Sequence, residues 1–433
     1  CPARGGAPAA ARPRRAGVPR GCSGLGPQAA PRPSRWVLLK VAVRDGALDF
    51  RSRPLRYMSI PLVAGLVGYA TNWVGIKMLF YPIETLGPEL YRQADSPYGL
   101  LCWQGVVPTK TAQMAERLTL IVTQRLLSLT EAFGHVDADR FATMLQPFVE
   151  EGIRADAPNG RLWSLAMRPF LHFFLTRIVV QLKREIEDVL DLEEVVRSAF
   201  VRDKQILVEL FNEVGREEIT FMVNSGFYFG FALGLGQMFL WGLLPRNWTL
   251  PVAGSLVGYV TNWIAIKLIF DPVEPVPVGP FVLQGLFEKR QPEVSVEFAA
   301  FLSSRVLTSP RLVAELASGE RRAEFEALLR RSVPFIVPDA VVGAACGGLR
   351  RFAAEPEGHP AHAYLAECLA VEATLAHRLR LLAPAEFESL LHPVFQEDEI
   401  TLIVIGGVLG FATGVLQFLF NFGGPTALRH AAR

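Results

Sequence analysis

The stretch "GYATNWVGIKMLFYP", Gly68 to Pro82, returns as "GYVTNWIAIKLIFDP", Gly258 to Pro272, at an offset of 190 residues. Each copy sets an asparagine and a lysine inside a run otherwise apolar enough to enter a bilayer. Aligned without gaps, Ile60–Glu84 and Leu250–Glu274 share thirteen identities in 25 positions, and most other pairs are swaps such as Val for Ile. Further anchors follow in the same order. "QGVVPTK" from Gln104 meets "QGLFEKR" from Gln284, "EEIT" ending at Thr220 meets "DEIT" ending at Thr401, and "GFALGLGQ" from Gly230 meets "GFATGVLQ" from Gly410. Ordered anchors at a nearly constant offset indicate a tandem duplication.

A helix needs roughly 20 mostly apolar residues to cross a bilayer. Four segments qualify: Ile60–Phe80, Ile219–Leu244, Leu250–Phe270 and Ile400–Phe422. The second and fourth carry no charge. The other two each carry one lysine, Lys77 or Lys267, three residues from the C-terminal end, where a long side chain brings its amine to the interface. Half of the 433 residues are hydrophobic and a fifth are charged, and the mean hydropathy is +0.26. That balance suits a chain burying surface in lipid.

The predicted fold is therefore all-α: an integral membrane protein with about four transmembrane helices and two helical extramembrane inserts. The first module covers 56–245 with insert 81–218, and the second covers 246–424 with insert 271–399, leaving a short tail at 425–433. An even number of spans per module gives both copies the same orientation and puts both inserts on one side. "PRNWT", Pro245–Thr249, is the tight turn between modules. The opposite flanks carry Arg51, Arg53, Arg56, Arg246, Arg429 and Arg433, so the positive-inside tendency makes that side cytosolic or stromal. Within the inserts, Met114, Leu118 and Ile121, then Val189, Leu192, Val196 and Phe200, follow helical spacing. Such one-sided helices must pack on each other or on a protein partner.

The first 44 residues contain nine Arg or Lys and no Asp or Glu. Residues 1–50 are expected to be a disordered basic tail, resembling an organelle transit peptide such as a plastid or other envelope protein carries. With no initiating methionine, the natural start is expected upstream. A net charge of +2 without a basic stripe argues against nucleic acid as a partner. Five scattered cysteines in no CxxC pair, and lone histidines such as His135, His172 and His392, nominate no disulfide framework, metal, cofactor or catalytic centre.

The polar residues of the repeated span are the candidate site. Gly68, Thr71 and Asn72, with Gly258, Thr261 and Asn262, fall on one helix face. One reading is close helix packing, with small residues admitting a neighbour and Asn or Thr bonding across the contact. The other is a polar midplane site where Asn72 and Asn262 meet between copies, as in repeat-built transporters. Lys77 and Lys267 read as interfacial anchors, and Trp73 and Trp263 as packing residues. Lys110, Lys289 and Arg290, just outside the first span of each module, are candidate lipid-headgroup contacts. Glu217 and Glu218 favour a helix N-terminus and are expected at the wet boundary.

The segment "GYxTNW[VI]xIK[ML][LI]FxP", followed by "QGVVPTKTAQMAERL", "DLEEVV" and a Gly-rich span ending at Gln237, resembles domain of unknown function family 445, the YjiN/YheB-like bacterial membrane proteins. The resemblance covers about Arg56 to Pro245, and more loosely Asn247 to Gly424, as two tandem copies. The second copy departs at "QGLFEKRQPEV" and in "HPAHAYLAECLAVEATLAHRL", which does not align. The resemblance implies a membrane-anchored helical protein and assigns no activity. The expected function is that of a non-enzymatic structural or envelope-organising protein whose inserts bind a partner; the alternative is a transporter or channel component.

Overall fold

The computed structural model describes residues 54–88, 97–99, 101–243, 248–389 and 399–422, with single helical positions between 36 and 52. Apart from those positions, both predicted tails and the modular turn around Arg246 lie outside the described residues, as does His392.

The chain begins with the long helix α1 (Pro54–Phe80), a cis peptide before Pro82, and a small hairpin of β1 (Tyr98–Gly99) and β2 (Cys102–Trp103). Helices α2 (Val106–Thr109), α3 (Thr111–Ile121), α4 (Leu129–Gly134), α5 (Ala138–Asp156), α6 (Gly160–Val189), α7 (Leu192–Arg202) and α8 (Lys204–Val214) make the first insert. Helix α9 (Arg216–Leu243) is the second long apolar helix. The second half repeats the plan with α10 (Thr249–Phe270), a cis peptide before Pro272, and a hairpin of β3 (Val276–Val278) and β4 (Phe281–Leu283). Then come α11 (Leu286–Lys289), α12 (Gln291–Phe301), α13 (Ser309–Ser318), α14 (Arg322–Ser332), α15 (Asp339–Ala354), α16 (Pro360–Leu369), α17 (Val371–Leu381) and the apolar α18 (Glu399–Gln417). A π turn follows α3 at Val122–Leu126 and α12 at Leu302–Val306.

Local chemistry sets the breaks in the first insert. The side chains of Ser128, Asp137, Asp191 and Asp203 each accept a backbone N–H in the first turn of α4, α5, α7 and α8. Each cap satisfies a donor that the helix leaves unpaired, a contribution of ~1 kcal/mol.

The two inserts form one helical head. A continuous apolar core runs from the span ends, Leu79, Phe80, Ile269 and Phe270, through Leu126, Phe200 and Phe211 of the first insert to Leu302, Phe352 and Leu375 of the second. Polar links tie the same seam: Arg351 Nη2 lies 2.9 Å from Asp156, Arg331 Nη2 lies 2.8 Å from Glu185, and Tyr364 Oη accepts the Asp137 backbone N–H at 3.1 Å. Joined in this way, both inserts lie on the same side of the long helices. The unaligned segment of the second insert supplies α16 and α17, joined through Ala370 at φ 44°. Away from the head, a small cluster of Tyr57, Ile60, Trp241, Leu250 and Phe418 joins the two halves.

The protein is a mostly helical membrane protein, and five helices among the described residues are long and apolar enough to span. Four correspond to the expected spans. The fifth is α6, which sequence reading placed within the insert as ordinary head structure. It buries the stripe Met167, Leu171, Leu175, Val179, Leu182 and Ile186 in the head and turns apolar residues outward as well.

Candidate functional site

Each pair of long helices is closed by glycine on glycine. A Cβ added to Gly68 would stand 2.1 Å from the Gly226 carbonyl oxygen, and one added to Gly258 would stand 2.1 Å from that of Gly406. Only a hydrogen at both positions lets the backbones come so near, which is how small residues promote association in lipid. Beside each contact an asparagine crosses the gap: Asn72 Nδ2 donates to the Met222 carbonyl at 2.5 Å, and Asn262 Nδ2 to the Leu402 carbonyl at 2.7 Å. The Thr71 and Thr261 hydroxyls donate to the Gly68 and Gly258 carbonyls of their own helices, at 3.0 and 3.1 Å.

These six residues thus form two local sites, one per half. Asn72 and Asn262 bond within their own helix pairs rather than to each other. Both Oδ1 atoms are buried without a partner among the described residues. Between the long helices of the two halves, Gln237 Nε2 donates to the Leu250 carbonyl at 3.4 Å. Trp73 and Trp263 are about half exposed on the outside of their helices, so they do not pack between helices. The glycine and asparagine face fills the contact and leaves the indoles the outer one.

At the head end, the Lys77 amine sits 5.1 Å from the Tyr81 ring centre and Lys267 Nζ lies 2.6 Å from Asp271 Oδ2. The Gln-Gly pairs act here as clamps. Gly105 and Gly285 donate to the Pro82 and Pro272 carbonyls at 2.9 Å, while Gln104 and Gln284 donate from Nε2 to the Ile83 and Val273 carbonyls at 2.7 and 3.3 Å. A Cβ on Gly105 would meet Phe80 C at 2.8 Å, so the glycine lets the returning chain lie against the end of its span. Lys110 closes α2 and is half-buried, and Lys289 is exposed.

Arg290 is drawn into the protein. Its guanidinium lies 3.0 Å from Glu217, 2.7 Å from Glu218 and 3.7 Å from Glu297. Glu218 is buried rather than wet, because the arginine of the other half stands over it. Next to this cluster, at the position matching Pro108 of the first half, Glu288 is 3% exposed, with neither carboxylate oxygen partnered among the described residues. Burial pushes its carboxyl up to about 8, and Glu388, Asp271 and Glu218 push in the same direction. Near pH 7 it therefore holds a proton. Sequence reading passed over Glu288; the signal available was a carboxylate replacing a proline between two well-matched anchors.

A second buried polar pair lies in the head. His362 Nε2 donates to the Phe352 carbonyl at 2.9 Å, which fixes Nδ1 as acceptor of the Ser309 hydroxyl at 2.8 Å. Its ring stacks on Phe352 at 4.1 Å, and burial lowers its basicity. Serine and imidazole are both sealed from solvent, so the pair is a core bond with no room for a substrate.

No family profile matches the chain, and no solved structure matches it. Curated relatives share part of it. A UPF0754 membrane protein of Microcystis aeruginosa is 34% identical over 76 residues, 16% of this chain and 18% of that protein. A UPF0754 membrane protein of Staphylococcus aureus is 26% identical over 91 residues, 20% of this chain and 24% of that one. The match covers less than a quarter of the length of either relative. Helices, apolar spans and shared segments together describe a multi-pass helical membrane protein with distant, partial similarity to the UPF0754 membrane proteins.

Proposed function

We propose that the protein is a non-enzymatic membrane-organising protein: two helix pairs anchor a rigid head that presents its surface to a partner at the bilayer. One observation carries this reading, the fusion of both inserts into a single apolar core continuous with the span ends. A body built in this way transmits position rather than opening a path. The glycine contacts that close each helix pair, with asparagines spent on backbone carbonyls, support packing as the role of the repeated motif.

The alternative, a transporter or channel component, draws on the two buried Oδ1 acceptors of Asn72 and Asn262. The experiment is ion and proton flux across liposomes holding the purified protein, wild type against the double variant Asn72→Ala, Asn262→Ala. The organising reading expects no flux above protein-free liposomes and a less heat-stable double variant. Wild-type flux that disappears in a stably inserted double variant would replace it with the transporter reading.

A further inference from the structure

Helix α6 has two apolar sides, and the head uses only one. The inner stripe through Leu171 and Leu175 is buried, whereas Leu162, Leu165, Phe170 and Phe173 lie outside, each more than half exposed. A run of this size left in water marks a contact surface. The helix's own charge is one-sided, although α5 beside it sets Glu150 3.8 Å from Arg168 and Asp139 3.5 Å from His172. From Ala157 to Arg184 there is no Asp or Glu, while Arg161, Arg168, Arg177 and Arg184 are all exposed on the helix. Next to α6, the loop between α14 and α15 leaves Phe335 91% and Ile336 70% exposed. Val333 and Val337, which bracket those two residues, share a cavity wall with Phe174 and Ile178 of α6.

We propose that the outer face of α6, with the Phe335–Ile336 loop beside it, is a peripheral docking surface that lies flat on an anionic lipid bilayer. The helix is long enough to cross, but its inner side is held by the head, and Lys183, Arg184, Glu185, Glu187 and Asp188 load its C-terminal end with charge. It therefore lies on lipid rather than through it. Apolar residues enter the acyl boundary while the arginines extend to phosphate groups, as amphipathic basic helices do. A second copy of the chain fits less well, because a two-fold contact would set the same arginines against themselves. This goes beyond the organising reading and does not depend on it: the head has a lipid contact of its own in addition to the anchoring spans.

The test uses the full chain, with native cysteines replaced by alanine, reconstituted in liposomes. One variant carries Phe173→Cys and a control carries Glu357→Cys, each labelled with a fluorophore and challenged with nitroxide-bearing lipid. In vesicles containing phosphatidylglycerol, the label at 173 is expected to lose its emission while that at 357 keeps it. In neutral vesicles or high salt the loss should shrink, and each of Arg168→Gln and Arg177→Gln should weaken seating about fivefold. Emission at 173 no more quenched than at 357 in anionic vesicles overturns the proposal. So does thiol crosslinking of Phe173→Cys between two copies, which would make this face an interface between chains. Unchanged helicity and melting of the labelled variants separate either outcome from misfolding.

Discussion

Replacing Gly68 by alanine should part the first helix pair. The new Cβ would lie 2.1 Å from the Gly226 oxygen, about 1.3 Å inside the 3.4 Å at which ordinary contact begins. The obstacle is backbone on backbone, so no side chain can turn away and the helices must separate. Separation draws out the bond from Asn72 to Met222, now 2.5 Å. Overpacking costs about 1–3 kcal/mol and an interhelical bond in lipid about 0.6–1.7, for a total of about 2–5 kcal/mol. The assay is thermal unfolding in bicelles, where a loss of this size lowers Tm by several degrees. Gly258→Ala should cost the same through Gly406, and the double variant should show roughly the sum, since the two contacts share no partner. Gly236→Ala, on α9 with nothing within 4 Å of its Cβ, is the control and should be neutral or slightly stabilising. Gly68→Ala melting with the wild type would refute close backbone contact as the basis of the helix pair.

Three further outcomes follow from the junction and the head. Glu288, whose folded carboxyl titrates near 8 against an ordinary 4.5, favours the fold fully below pH 4.5 and loses that contribution as pH rises through 8. Glu288→Gln should therefore raise Tm at pH 9 and match wild type below pH 4.5. His362, with its basicity lowered by burial, supports the fold fully above its ordinary value of 6.5 and withdraws support as pH falls. The double variant Ser309→Ala, His362→Phe should thus lose less stability than wild type as pH falls below 6.5, as read by melting curves. Gly105→Ala, which meets the end of α1, should speed proteolysis between span and head, while Gly134→Ala, with open space around it, should not.

The architecture was legible because the repeated span carries its own packing code. Gly68, Asn72 and their counterparts Gly258 and Asn262 recur in register, and both the closeness of the helices and the bond across them follow from residue type. Their partners were less legible. Nothing in the spacing shows that Asn72 reaches Met222 rather than Asn262, since a helix face names a direction and not a neighbour. Arg290 read as a headgroup contact because its acids, Glu217 and Glu218, belong to the other half and come near only when the two inserts fold into one head. The outer side of α6 was hidden for a related reason: its inner and outer apolar stripes overlap in sequence, and only the packed head shows which one is used. His362 and Ser309 stand 53 residues apart, and His362 lies in the segment with no counterpart in the first half, so neither motif nor repeat could join them.

The central claim is that two duplicated helix pairs hold both inserts on one side of the membrane as a single head. It is tested most directly at the Asp156–Arg351 seam, where the first insert meets the second at 2.9 Å. With Asp156→Cys and Arg351→Cys in a chain otherwise free of cysteine, a short membrane-impermeant thiol crosslinker is added to sealed, uniformly oriented vesicles. The account predicts an intramolecular crosslink formed from one side without permeabilisation. Cysteines that react from opposite sides, or that react from the same side but never join, would contradict it.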